Sequence, residues 1–107
     1  MSETYHPKYV VINGRGFHAE SDLVFEKQED KLTEIRFECC IPYKKNEMPT
    51  FSFKVYAITV SLNGVVHSFK AIPSNIEPSD NLQLNIEFTP VNVYKLTKKT
   101  NTVIYNE

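Results

Sequence analysis

Tryptophan is missing from this chain, glycine occurs three times, methionine twice, and no apolar run approaches the length of a membrane span. A helical span needs about 20 consecutive apolar residues, so the sequence offers no transmembrane helix. The lack of tryptophan counts against a sugar-stacking platform. Charge of one sign is not in surplus either: 12 Lys and Arg stand against 13 Asp and Glu, for a net charge of −1. Binding to a polyanion needs an excess of basic side chains, so nucleic acid is not expected as the main partner. The two cysteines, Cys39 and Cys40, are adjacent. Neighbouring side chains on a strand point to opposite faces, so these two cannot bridge and are expected as free thiols, one of them buried. Free thiols suit a reducing compartment. The opening Met-Ser-Glu-Thr-Tyr-His-Pro lacks the basic, apolar, then small-residue order of a secretory signal, and a cytoplasmic location is the expectation.

What is present is a chain of 107 residues with 41% hydrophobic and 23% charged residues, enough for one domain, 1–107, with its own core. Its centre is the stretch Phe51 to Ile72, two β-rich runs joined by Asn63-Gly64. That dipeptide tolerates positive φ at both positions and predicts a two-residue hairpin of type I′. The turn sets the register: Leu62 opposite Val65, Val60 opposite His67, Ile58 opposite Phe69 and Tyr56 opposite Ala71, with most of the bulk on one face.

Before it, Tyr9 to Ile12 reads as a strand closed by a turn at Asn13-Gly14-Arg15-Gly16. Phe17 to Asp30 has no clean period. A strand near Leu23 to Lys27 turning at Gln28 to Asp30 is expected, with a short helix capped by Ser21 or Asp22 as the alternative. Lys31 to Ile41 alternates, Ile35, Phe37, Cys39 and Ile41 on one side and Glu34, Arg36, Glu38 and Cys40 on the other, which predicts a strand with one face in the core. Tyr43 to Thr50 is a polar connection. After the hairpin, Ile72 to Asn81 reads as a second long loop, because Pro73, Pro78 and their polar neighbours break ladders. Leu82, Leu84, Ile86 and Phe88 then alternate with polar residues and predict a core strand. A last hairpin is expected from Val91 to Leu96 and Thr102 to Tyr105, turning at Lys98 and Lys99. Seven or eight short strands and at most one short helix predict an all-β, antiparallel two-sheet sandwich or small barrel.

The run Ile76-Glu77-Pro78-Ser79-Asp80-Asn81-Leu82-Gln83-Leu84-Asn85-Ile86-Glu87-Phe88-Thr89-Pro90, with its trailing Phe-x-Pro, resembles the loop and strand of immunoglobulin-like domains of the assembly and scaffold type. The resemblance covers fifteen residues and implies an immunoglobulin-like fold with an interaction role. The disulfide and core tryptophan of antibody domains are absent, and no functional residue carries over.

Candidate chemistry is sparse. Gly14, Gly16 and Ala19 match the spacing of a dinucleotide-binding turn, but that motif requires a following helix and a parallel sheet, and a glycine turn between strands is expected. His6, His18 and His67 have no metal-ligand spacing, so no metal or other cofactor is expected. Cys39 and Cys40 follow Glu38, whose carboxylate would raise a thiol pKa, the wrong direction for a nucleophile. Paired acids such as Glu29 and Asp30, or Glu34 and Glu38, read as a solvated face. Among the tyrosines, Tyr43, Tyr94 and Tyr105 lie near lysines, and the expected partner-binding set is Tyr43, Lys44, Lys45, Lys95, Lys98 and Lys99. The expectation is thus a non-catalytic protein-binding module: an inhibitor, an immunity protein, a defence antagonist or a self-assembling subunit, with a homodimer among its forms. The alternative is a β-sandwich that binds a carbohydrate or small ligand, calcium included, through the loops holding Asn46, Glu47, Asn75, Asp80 and Asn81.

Overall fold

A computed structural model describes residues 2–91 and 102–105, and the backbone of 96–99. The described chain is all strand and connection, in ten strands: β1 (Ser2–Tyr5), β2 (Tyr9–Ile12), β3 (Arg15–His18), β4 (Glu20–Gln28), β5 (Lys31–Pro42), β6 (Tyr56–Leu62), β7 (Val65–Ser79), β8 (Gln83–Pro90), β9 (Leu96–Lys99) and β10 (Thr102–Tyr105). They are hydrogen-bonded in the order β1-β4-β5-β8-β7-β6-β2-β3, with β10 joined to β7 and β9 to β10. Every pairing is antiparallel except β10 with β7.

Three tight hairpins share one backbone device. Asn13-Gly14, Glu29-Asp30 and Asn63-Gly64 each place two successive residues at positive φ, between 49° and 82°. They bring Ile12 opposite Arg15, Gln28 opposite Lys31 and Leu62 opposite Val65. Positive φ at both central residues is what a type I′ turn requires and what matches the strand twist. The central hairpin has the register its turn dictates, from Leu62–Val65 through Val60–His67 and Ile58–Phe69 to Tyr56–Ala71.

Several expectations are corrected. Phe17 to Asp30 holds the expected strand and turn and not the alternative helix, but the strand is longer: β4 runs from Glu20 to Gln28, with Ser21, Leu23 and Phe25 turned inward. Arg15 and Gly16 belong to strand β3 rather than to a turn. Phe51 to Val55 is irregular, and the strand begins at Tyr56. Ile72 to Ser79 is the second half of β7, not a loop. Proline is tolerated there because this half has a ladder partner, β8, on one side only, so an amide missing from the other side breaks no bond. Leu82 is not a core residue: it is 43% exposed and takes φ 56° in the turn between β7 and β8. Lys98 and Lys99 are strand residues opposite Val103 and Thr102, not a turn. Strand β1, a polar edge with no hydrophobic pattern, went unforeseen, and ten strands replace seven or eight.

The buried side chains form one cluster fed by Val10 and Ile12 of β2, Phe17 of β3 and alternate positions of β4 to β8 and of β10. Phe37 of β5 meets Phe69 of β7 at 5.7 Å and Phe88 of β8 at 5.8 Å, and Tyr56 of β6 meets Phe88 at 6.4 Å. Phe25 of β4 meets His67 of β7 at 5.6 Å and Tyr105 of β10 at 5.5 Å. Most of these pairs join strands that are not ladder neighbours, so the path of strands curls back and closes over its own apolar side. Each fully buried side chain of this size contributes about 1.5–3 kcal/mol. The fold thereby fixes two outer surfaces, the face of β4, β5 and β8 and the end where β5 runs into its connecting segment.

Candidate functional site

The end of β5 is organised by a turn. The amide of Glu47 donates to the carbonyl of Lys44 at 2.8 Å, and Asn46 takes φ 69° at the third position. Asn accepts that conformation more readily than most residues, so Lys44-Lys45-Asn46-Glu47 closes tightly and leaves both lysines exposed. The turn is anchored where the amide of Tyr43 donates to the carbonyl of Leu82 at 3.0 Å. Across from it stands β3, whose Phe17 is buried against Phe51 at 5.9 Å. Above Phe17 lies the Arg15 guanidinium, 4.8 Å from the ring centre, a cation–π contact.

Between β3 and this turn is an open hollow of about 820 Å³, lined among others by Arg15, Phe17, Tyr43, Lys44, Glu47 and Met48, so that two cations stand against one carboxylate. Met48 is 43% exposed. Neither Arg15 nor Lys44 has an ion-pair partner among the described residues. The arrangement can therefore receive an acidic group together with an apolar side chain.

Of the residues expected at a binding surface, Tyr43 and Lys44 line this hollow, and Lys45 is exposed in the adjoining turn without lining it. Lys98 and Lys99 are on β9, paired with β10, whose Tyr105 packs against Phe25. Phe25 is opposite Ile35, eight residues before Tyr43 on the strand that leads to the hollow, on the order of 25 Å at the usual strand rise. The expected set thus falls into two groups, and Lys95 lies outside the described residues. Sequence reading missed Arg15 and Met48. The glycine-flanked Arg15 sits on a hairpin 28 positions before Tyr43, and nothing local to it signals the approach.

The outer face of β4, β5 and β8 is acidic. Asp22 is opposite Glu38, and Glu38 is opposite Glu87, so three carboxylates lie in one row across three strands. Asp22 is bonded to the Nδ1 of His6 at 2.6 Å, and Glu20 to Lys8. Glu38 and Glu87 have no cation partner among the described residues. Partial burial, a shared hydrogen bond with Asp22 and the charges of Asp22 and Glu87 together raise the Glu38 pKa above its ordinary value of 4.5. Two shallow hollows of about 530 and 690 Å³ meet along this row.

The remaining candidates are dispersed. Gly14 is in the first hairpin turn and Gly16 in β3 beneath the Tyr9 ring, where a Cβ would meet the phenol. His18 lies edge-on to Tyr9 at 5.1 Å. His67 faces inward, its Nδ1 3.1 Å from the Tyr105 hydroxyl and its ring stacked on that phenol at 5.9 Å. Burial lowers the His67 pKa and, with the nearby Tyr5 and Glu3, pushes that of Tyr105 up to about 12. Cys39 is buried and Cys40 half-exposed, both free. Burial first, then Cys40 and Glu38, push the Cys39 thiol up to about 12, which keeps it protonated and inert. Among the described residues no group of three or more His, Cys, Asp or Glu is placed to hold a metal, and no helix is long and apolar enough to cross a membrane. Asn75 is a residue of β7, whereas Asn46 and Glu47 lie in the turn after β5 and Asp80 and Asn81 follow β7.

Comparison with protein-family models, curated proteins and solved structures finds no match to this chain.

Proposed function

We propose that the chain is a small immunoglobulin-like sandwich that works in the cytoplasm by binding another protein rather than by catalysis, and that the hollow between β3 and the turn after β5 is its docking site. The sandwich reading draws on the ring contacts of Phe37 with Phe69 and of Tyr56 with Phe88, which bring separate stretches of the ladder face to face. The cytoplasmic reading draws on the two free thiols.

The observation that carries the docking site is the pairing of Arg15, held over Phe17, with an exposed Lys44 and an exposed Met48 around one concavity. Arginine, aromatic and methionine side chains are enriched at protein interfaces, and cations without an ion pair attract an acidic partner and speed its approach. The partner presents carboxylates to Arg15 and Lys44. A fluorescently labelled peptide alternating Glu and Leu should bind with an affinity that falls as salt rises, and Arg15→Ala with Lys44→Ala should weaken it by about tenfold or more. Binding that is indifferent to both substitutions and to salt overturns the reading.

A further inference from the structure

We infer that the partner of the hollow is a second copy of this chain, docked through the acidic outer face of β4, β5 and β8. The inference rests on the docking role of the hollow and names its occupant. Complementarity of charge is the first argument. Arg15 and Lys44, which outnumber the one carboxylate of the hollow, Glu47, and Glu38 and Glu87 on the face have no ion-pair partners within the described chain, and the two surfaces are opposite in net sign.

Placement is the second argument. Glu38 lies within β5, and Lys44 follows two residues after its end. Six residues of extended chain put the acidic row and the hollow on the order of 20 Å apart along one strand. Two copies related by a two-fold axis, with their β5 strands antiparallel, set the acidic face of each against the hollow of the other. Such an interface is isologous: Glu38 meets Lys44 of the second copy and Lys44 meets its Glu38, so both contacts form at once and the assembly closes at a dimer. The opposed carboxylates of the row, which repel one another in a single copy, gain cationic partners in the pair.

Sedimentation equilibrium of the full chain tests this. In low salt the mass should rise with concentration toward twice the 12.4 kDa of one copy, and fall back in about 1 M salt. A face-reversed variant (Glu38→Lys with Glu87→Lys) and a hollow-reversed variant (Arg15→Glu with Lys44→Glu) should each remain monomeric. Mixed in equal amounts they should form a one-to-one complex, because each reversed surface then meets its complement. A wild-type chain that stays monomeric throughout, or reversed variants that self-associate as wild type does, overturns the inference. If the reversed chains do not fold, the wild-type salt series alone decides. A monomeric wild type that still binds the Glu-Leu peptide leaves the hollow as a docking site and removes only the second copy, whereas loss of both removes both.

Discussion

Glu38 stands between two other carboxylates, and Glu38→Gln removes its charge while keeping its size and its capacity to hydrogen-bond Asp22. Directly opposed side chains on antiparallel strands have Cβ atoms about 5 Å apart, and a like-charge pair at that separation costs roughly 0.2–1 kcal/mol. Glu38 has two such neighbours, Asp22 and Glu87. Glu38 and Glu87 are exposed and Asp22 half-exposed, and solvent screens the repulsion and places the combined cost at the low end, about 0.5–1 kcal/mol. The variant should therefore melt about 3–6 °C higher than wild type at neutral pH.

The sign with pH follows from proton uptake. The folded-state pKa of Glu38 is raised above 4.5. Between the unfolded and folded values the native state binds more protons than the unfolded one, so wild-type stability falls as pH rises through that window. Below the unfolded value Glu38 is neutral in both states. The advantage of Gln should accordingly be full at neutral pH and disappear by about pH 4. Thermal melts at both pH values, on chain dilute enough to be monomeric, measure it. A variant no more stable than wild type at neutral pH, or one whose advantage persists undiminished in acid, refutes the account of the row.

Glu29 and Asp30 occupy the turn conformation that Asn and Gly fill in the other two hairpins, and a left-handed backbone costs a residue with a Cβ roughly 1–2 kcal/mol. Glu29→Asn with Asp30→Gly should raise stability by about 1 kcal/mol in urea unfolding, and a loss would show that these side chains have a stabilising role there. Phe37→Ala removes a ring that is 2% exposed and packed on Phe69 and Phe88, and should cost about 3–5 kcal/mol, close to the whole stability of many domains. Burial depresses the His67 pKa below its ordinary 6.5, so the unfolded state binds more protons just below that value and acidification through it should weaken the fold. His67→Gln should flatten this fall in urea midpoints, with the opposing contribution of Glu38 left in place. A maleimide reagent should label Cys40 in the native chain and reach Cys39 only on unfolding, read by intact mass.

The parts of this fold legible in sequence are those whose causes are local. Asn63-Gly64 announces its turn, and the turn counts out the register of Tyr56 to Ala71. The alternation from Ile35 to Ile41 gives the buried face of β5. What escaped depends on neighbours far along the chain. Pro73 and Pro78 look like breakers until the second half of β7 is found with a ladder on one side only. Leu82 fits the alternation of Leu84, Ile86 and Phe88 but falls in a left-handed turn. Glu29 and Asp30 give no signal of positive φ. The site divides the same way: Tyr43, Lys44 and Lys45 are contiguous and were legible, whereas Arg15 joins them only through the approach of β3. The row of Asp22, Glu38 and Glu87 requires the strand order β4-β5-β8, which no local pattern encodes.

Strand β7 pairs with β6 and β10 along its first half and with β8 along its second, and Ala71 has a partner on each side, Tyr56 and Pro90. The ladders of β6 and of β8 are consequently held by one continuous backbone. Load applied to β6 is borne by the same backbone that holds β8, and opening either ladder frees the strand on which the other depends. The amide hydrogens around Phe69 to Ala71 should therefore exchange only as fast as the ladders of β6 and β8 open together.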